Sequence, residues 1–378
     1  MIYLDNAATS FPKPNRVYDG VIDCIKNYGA NPGRGTYDMS IISSEKVMET
    51  REEIRGLFNI NNPLNIVFTS NATEALNIGI KGVLKPNDHV ITTAIEHNSV
   101  LRPLYSLSKS GVELSIVDVD KYGYVDIKDI EEEIKINTKL IIINHASNVL
   151  GTVQNIDKIG KLAHSRGINF MVDASQSAGI IPIDVDKSYI DLLAFPGHKS
   201  LYGIQGIGVL YIREGLHLES FIEGGTGSES HFMIQPEFMP DKFESGTLNT
   251  PGIVGLCEGV KFIKSLGMEN IKKHEDELTT YLLEELKKLS YIKIYGDNST
   301  LNRTAVVSFN VDNIDSSIVG EELNKDSIAV RTGYHCAPLI HDIIGTKFAG
   351  TVRVSFGYFN TFSDIDNLIK SLMKLVKY

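Results

Sequence analysis

Five short segments of this 378-residue chain carry side chains able to do chemistry. In Ala194-Phe-Pro-Gly-His-Lys-Ser200, Lys199 follows a short apolar run. Lysine forms Schiff bases once burial or a neighbouring charge lowers its pKa, and strand ends are where open α/β sheets place ligands. Gly197, Gly203, Gly206 and Gly208 leave room for the backbone to approach a ligand closely. By itself the segment reads first as an ordinary solvated lysine in a Gly-rich turn. Asp173, in Met171-Val-Asp-Ala-Ser-Gln176, ends an apolar run where an unpaired carboxylate is costly to bury. The cationic ring nitrogen of a cofactor is one suitable partner. A helix N-cap or a metal ligand is the plainer alternative, although no nearby His/Asp/Glu cluster supports a metal. In Phe68-Thr-Ser-Asn-Ala-Thr-Glu-Ala75 a strand leads into a helix start, whose N–H groups make an anion site suited to phosphate. Asn71 or Thr73 also makes a plain N-cap there, with Glu74 in the first turn, and the two readings coexist. His97, in Ile95-Glu-His-Asn98, can stack on a cofactor ring, shuttle a proton, or be structural.

The fifth segment is Arg331-Thr-Gly-Tyr-His-Cys-Ala-Pro338. Cys336 falls in a loop between Gly333 and Pro338, beside His335 and near Arg331. Exposure and cationic neighbours lower a thiol pKa and make it nucleophilic. Cys24 and Cys257 fall in helix-period stretches and read as inert core fillers. Arg353, within Thr-Val-Arg-Val-Ser, can clamp a carboxylate through two N–H groups.

Alternating elements must position these side chains. Apolar, β-branched runs at Ile66–Ser70, Val90–Thr93, Leu114–Asp118, Leu140–Asn144, Asn169–Asp173, Leu192–Ala194 and Gly208–Ile212 predict strands. Several are apolar throughout, as in strands buried on both faces. Thr73–Val83, Asn98–Ser110, Ile127–Ile136 and Ile156–Ser165 predict helices between them. The alternation gives an α/β fold with a mostly parallel sheet flanked by helices. The pattern changes after about residue 252. Helices at Ile253–Ser265 and Glu269–Leu289 come first. Strands at Ile292–Ile294, Ala305–Phe309 and Val352–Ser355 and helices at Ser316–Asn324 and Ser363–Val376 complete a smaller C-terminal α+β domain.

The bulk properties exclude some classes. The net charge of −10 argues against a nucleic-acid binder, which carries a basic face. No apolar stretch approaches the ~20 residues that span a bilayer, and the first residues show no signal-peptide pattern. Three scattered cysteines make neither a disulfide framework nor a zinc cluster, so the expected setting is reducing and cytoplasmic.

Together the segments resemble the cysteine desulfurase and selenocysteine lyase branch of the pyridoxal 5′-phosphate (PLP)-dependent class V aminotransferases. The resemblance covers essentially the whole chain: Leu4-Asp-Asn-Ala-Ala-Thr9, Phe68-Thr69 with Ala72-Thr-Glu-Ala75, Glu96-His97, Ser147-Asn-Val-Leu-Gly-Thr152, Val172-Asp173 with Gln176-Ser177, Gly197-His-Lys199, Phe243-Glu244 with Gly246-Thr247, Arg331-Thr-Gly333 with His335-Cys-Ala337, and Arg353. Each motif is modest, and their order and spacing together are specific. The resemblance implies PLP-dependent transferase fold type I. It implies a PLP-binding large domain over 15–252 and a small C-terminal domain over 253–378, with 1–14 packing near the active site.

Residue roles follow from the same resemblance. Lys199 carries the cofactor, Asp173 pairs with its pyridine nitrogen, Gln176 with its phenolic oxygen, and His97 stacks on its ring. Ala72 belongs to the cofactor shell, and Thr73 and His198 hold the phosphate, helped by Thr247 from the second subunit of a homodimer. Asn148 and Arg353, with Arg331, bind the substrate amino acid, and Cys336 accepts sulfur as a persulfide. The activity implied is conversion of L-cysteine to L-alanine. The alternatives are a selenocysteine lyase acting on L-selenocysteine, a class V transaminase or epimerase without sulfur transfer, and a non-catalytic scaffold. The short cysteine loop resembles the group in which a separate acceptor protein draws off the sulfur. The chain departs from its relatives at Pro196, where many have Ser, at Asn98 and Tyr334, where His is common, and at Gly33, where His is frequent.

Overall fold

The computed structural model describes residues 1–33 and 35–375; Arg34, in the Asn31–Gly35 stretch, and Val376, the expected end of the last helix, lie outside the described residues. The chain opens with β1 (Ile2–Tyr3), α1 (Asn15–Asp23) and α2 (Asp38–Phe58). The α/β body follows: β2 (Ile66–Thr69), α3 (Ala72–Val83), β3 (His89–Thr93), α4 (Asn98–Ser108), β4 (Glu113–Val117), α5 (Ile127–Glu132), β5 (Thr138–Asn144), α6 (Ile156–Ser165), β6 (Asn169–Asp173), β7 (Leu192–Pro196) and β8 (Gly208–Ile212). After a long irregular stretch come α7 (Thr250–Leu266), α8 (Met268–Lys287), β9 (Ile292–Tyr295), β10 (Val306–Val311), α9 (Ser316–Lys325), β11 (Ile328–Ala329), β12 (Arg331–Gly333), α10 (Pro338–Ile343), β13 (Thr351–Ser355) and α11 (Phe362–Leu375).

The seven-stranded sheet runs in the order β2-β8-β7-β6-β5-β3-β4. β8 alone runs opposite to the other six strands of this sheet. Its central strands are buried along nearly their whole length, which explains their unbroken apolar sequences. One face packs on residues of α2, α6 and α7, among them Ile54, Phe58, Ile159 and Leu256. The other packs on α3 and α4 through Leu76, Ile80, Val100 and Leu104. A four-stranded antiparallel sheet, β12-β13-β10-β9, forms the C-terminal part with its own core of α8, α9 and α11 residues.

Helix α2 was not legible as an apolar stripe. The buried face of α2 is Ser40, Ser43, Val47, Thr50, Arg51, Ile54 and Phe58, so its first half buries hydroxyls instead of hydrocarbon. The helix nonetheless ends at Asn59 in the left-handed region, with φ 55°. The α5 helix stops at Glu132 instead of Ile136, and Ile136 is fully exposed. Element ends otherwise move by a few residues. The boundary expected between residues 252 and 253 falls inside α7. Its buried residues Ile253, Leu256, Val260 and Ile263 join the core of the large sheet. On these contacts we propose the division at Gly267, whose φ of 84° turns the chain between α7 and α8.

Candidate active site

Parallel strands deliver their C-terminal ends to one edge of the sheet, and there the polar residues gather. A cavity of about 100 Å³ opens on that edge. Ala72 and Thr73 reach it from the start of α3, His97 and Ser99 from the start of α4, Asn144 and Asn148 from the end of β5, Asp173, Ser175 and Gln176 from the end of β6, and His198 and Lys199 from the turn after β7. Larger concavities lie elsewhere. One of about 670 Å³ runs along the charged face of α8, and one of about 700 Å³ lies between residues 31–48 and 225–248.

Lys199 is half-buried at the cavity wall. Burial lowers its pKa to about 8, reinforced by the charges of Arg353 and Arg331 and opposed by Asp173 and Asp5. Two of the glycines around it are required by the packing of the fold itself. A Cβ on Gly203 would meet the Gly197 carbonyl oxygen at 2.9 Å, and one on Gly208 would lie 2.4 Å from the carbonyl carbon of Asn71. Gly208 thus lets β8 pass directly beneath the cap of α3. That cap is Asn71, whose Oδ1 accepts from Glu74 N at 2.9 Å, so the helix is capped and its first turn still faces the cavity.

His97 caps α4. Its Nδ1 accepts from Ser99 N at 3.1 Å and lies 2.8 Å from Ser99 Oγ, which in turn lies 2.9 Å from Thr73 Oγ1. Burial, then Lys199, lowers its pKa to about 4, so the ring is neutral near pH 7. With Nδ1 accepting, the proton sits on Nε2. His198 is also held neutral, at about 4, by burial and by Lys199 and Lys13, and its Nδ1 is buried without a partner. Asp173 is 2% exposed, and its Oδ1 accepts from Ser175 N at 2.9 Å. Gln176 Nε2 donates to Ala7 O at 3.0 Å. Glu96, directly before His97, is wholly buried with Oε1 accepting from Thr93 Oγ1 and Asn144 N; burial raises its pKa to about 8.

The cysteine loop is tied to this edge through Asn98 and Asn148. Cys336 is half-buried. Arg331 Nη2 donates to its sulfur across 3.6 Å, and its carbonyl accepts from Asn98 N at 2.7 Å. His335 and Cys336 both adopt left-handed backbone, at φ 50° and 61°, which is strained for side-chain-bearing residues. The loop is anchored by Asn148 Nδ2 on His335 O at 2.6 Å. His335 is not the cationic neighbour expected from the sequence. It is 3% exposed, with Nε2 against Thr351 O and Oγ1, and burial followed by Arg353, His341 and Arg331 drives its pKa down to about 2. The cation beside Cys336 is Arg331, on β12 and paired in register with Arg353 on β13.

Arg353 is not a free fork. It is 1% exposed, with Nη1 donating to Asn148 O at 3.0 Å and Nη2 to Asp5 Oδ1 at 2.7 Å. Its Nε and Asn148 Oδ1 are buried without partners. Arg331, Arg353 and Cys336 do not line the cavity, but both arginine charges act on Lys199 and His97. Thr247 is exposed and lies on the 700 Å³ concavity, apart from the other residues. Sequence reasoning missed Ser99, Asn144 and Ser175. Asn144 had a signal: like its register partner Asp173, it is a polar residue ending an apolar strand.

A sheet edge that gathers a lysine of lowered pKa, a buried carboxylate and a capped helix start makes this cavity the candidate active site. Residues 2–368 match the family described as Aminotransferase class-V. A probable cysteine desulfurase of Methanothermobacter thermautotrophicus is 36% identical, over 99% of this chain and 94% of the relative. The apo structure of the cysteine desulfurase from Thermococcus onnurineus NA1 superposes with a TM-score of 0.94 at 35% identity, covering 100% of this chain and 94% of that one. The cysteine desulfurase CsdA of Escherichia coli gives 0.90 at 26% identity, over 99% and 94%. The chain belongs to the class-V aminotransferase family, in its cysteine desulfurase branch.

Proposed function

We infer that the protein is a PLP-dependent cysteine desulfurase that converts L-cysteine to L-alanine and receives the sulfur on Cys336. The observation that carries this is the coexistence of two reactive groups at one edge. Lys199 has its pKa lowered to about 8, and Cys336 is held by Arg331 and Asn98 beside the His97 turn.

The residues fit the cofactor. The first turn of α3 with Thr73, and the unpartnered Nδ1 of His198, suit a phosphate. Asp173 suits a pyridinium nitrogen, Gln176 an oxygen of the ring, and neutral His97 a ring face. Bound there, PLP supplies an electron sink for the substrate α-carbon. Arg353 and Asn148 receive the substrate carboxylate, using the donors left beyond Asp5. Lys199, once free, takes the α-proton; its lowered pKa makes it a base near neutral pH. Cys336 Sγ then attacks the substrate sulfur, with Arg331 as the donor facing it. An S–S bond forms and the C–S bond breaks; one thiol proton stays on the persulfide, the other reaches the β-carbon, and Lys199 returns the α-proton, so the carbon fragment leaves as alanine.

A homodimer belongs to the same reading. Thr247 is exposed away from its own cavity on a concavity that Met48 of α2 also lines, and Met39, Ile41 and Ile42 of α2, with Met233 and Ile234, are exposed apolar side chains. Thr247 then serves the phosphate of the second subunit. A separate protein takes the persulfide sulfur, and the three free thiols fit a cytoplasmic, reducing setting. No described helix is long and apolar enough to cross a membrane.

Measuring alanine and protein-bound persulfide from L-cysteine tests the assignment. Cys336→Ser is expected to lower both by at least about 100-fold. Turnover at the wild-type rate removes Cys336 from the mechanism.

A further inference from the structure

Residues 2–13 cross the candidate site and grip both halves of it. At one end, β1 pairs with β11, and Leu4 exchanges backbone hydrogen bonds with Ala329 and Ser355 of the C-terminal part. Asp5 then takes Arg353 Nη2 at 2.7 Å. At the other end the chain turns onto the peptide that carries Lys199. Ser10 N and Thr9 Oγ1 donate to His198 O at 3.1 and 3.0 Å, and Ser10 Oγ donates to Lys199 O at 2.8 Å.

Lys13 completes this grip at a cost. Its side chain is 8% exposed, and its Nζ donates to His198 O and Ser10 Oγ, both at 2.7 Å. Both partners are neutral oxygens, and burial lowers its pKa to about 7. A methionine of similar length would fill the space without desolvating a cation. What the ammonium adds is a strong, aimed donor to the carbonyl directly before Lys199. Asp5 acts similarly at the substrate end. A buried guanidinium with one oxygen on each Nη cannot rotate, and its remaining donors stay aimed.

We propose that Asp5 and Lys13 are positioning residues for this reaction: Asp5 fixes the arginine that receives the substrate carboxylate, and Lys13 fixes the peptide that presents Lys199 to the cofactor. The proposal rests on the desulfurase reading and on the roles given there to Arg353 and Lys199. It predicts separable effects from two residues of one short segment. A strap that only holds the fold would give a common loss of stability.

The test compares the full-length PLP-loaded protein with Asp5→Ala, Asp5→Asn and Lys13→Met, reading KM for L-cysteine, the visible band of lysine-bound cofactor, cofactor retention on dialysis, and Tm. Asp5→Ala is expected to raise KM about 10-fold while leaving the band and retention unchanged. Asp5→Asn keeps an accepting oxygen and gives a smaller rise. Lys13→Met is expected to weaken cofactor retention about 10-fold and shift the band, with KM for the loaded protein near wild type. Equal movement of every readout in step with Tm, or no movement in any, overturns the proposal. A wild-type protein without a visible band or alanine formation overturns the desulfurase reading itself, which distinguishes the two failures.

Discussion

At the scale of the residue, Lys199 shows how environment converts a common side chain into a reactive one. In water nearly every lysine is protonated at pH 7; at a pKa of about 8, about a tenth of the amine is free. Burial is the main cause, with Arg353 and Arg331 adding to it. Capture of PLP by apoprotein needs the free amine, so its rate should rise with pH and level off above about 8. Arg331→Met removes a charge that lowers the pKa, so the plateau should move to higher pH. Stopped-flow absorbance of cofactor capture measures both curves, and coincident plateaus would remove Arg331 from the electrostatics of Lys199. The same logic corrects the sequence reading of His335. Residue type made it a cation candidate, whereas burial against β13 and two nearby arginines keeps it neutral.

At the scale of the element, the site depends on where α3 begins. Asn71 caps it, and β8 runs so close beneath that only Gly208 fits. Gly208→Ala should push the cap of α3 away from the sheet, lowering Tm and loosening PLP together, because the same displacement strains the core and moves Thr73. Thermal melts with and without added PLP check this. A variant whose Tm drops while PLP affinity is unchanged would separate the helix start from the phosphate. The α2 helix teaches a different lesson. Its buried Ser40, Ser43 and Thr50 satisfy their hydroxyls on Asn31 O, Tyr28 O and Lys46 O, so a helix can be buried without an apolar stripe to announce it.

At the scale of the whole molecule, Thr247 and the apolar surface near α2 predict association. Light scattering after gel filtration should give twice the 41.8 kDa chain mass. Replacing Ile41 and Met233, both exposed, with Asp should yield monomers that bind PLP less tightly, since each pocket would lose the other subunit's Thr247. Monomers with full PLP affinity would leave Thr247 without a role at the phosphate.

The edge at which the candidate site residues gather follows from the sequence alone. Polar residues that end unbroken apolar runs, Asp173 and Lys199 among them, must meet because parallel strands finish on the same side of their sheet. The sequence also marked Cys336 and Arg353 through their local motifs. It did not determine what those side chains touch. Asp5 and Arg353 are 348 positions apart, and no local pattern relates them. Lys13 reads as a surface lysine between two prolines until the chain folds it against His198. Charge state belongs to the same class: His335, Glu96 and Lys199 depart from their ordinary pKa values mainly through burial. Burial is a property of the packed molecule, so tertiary structure alone decided which of these groups carry charge.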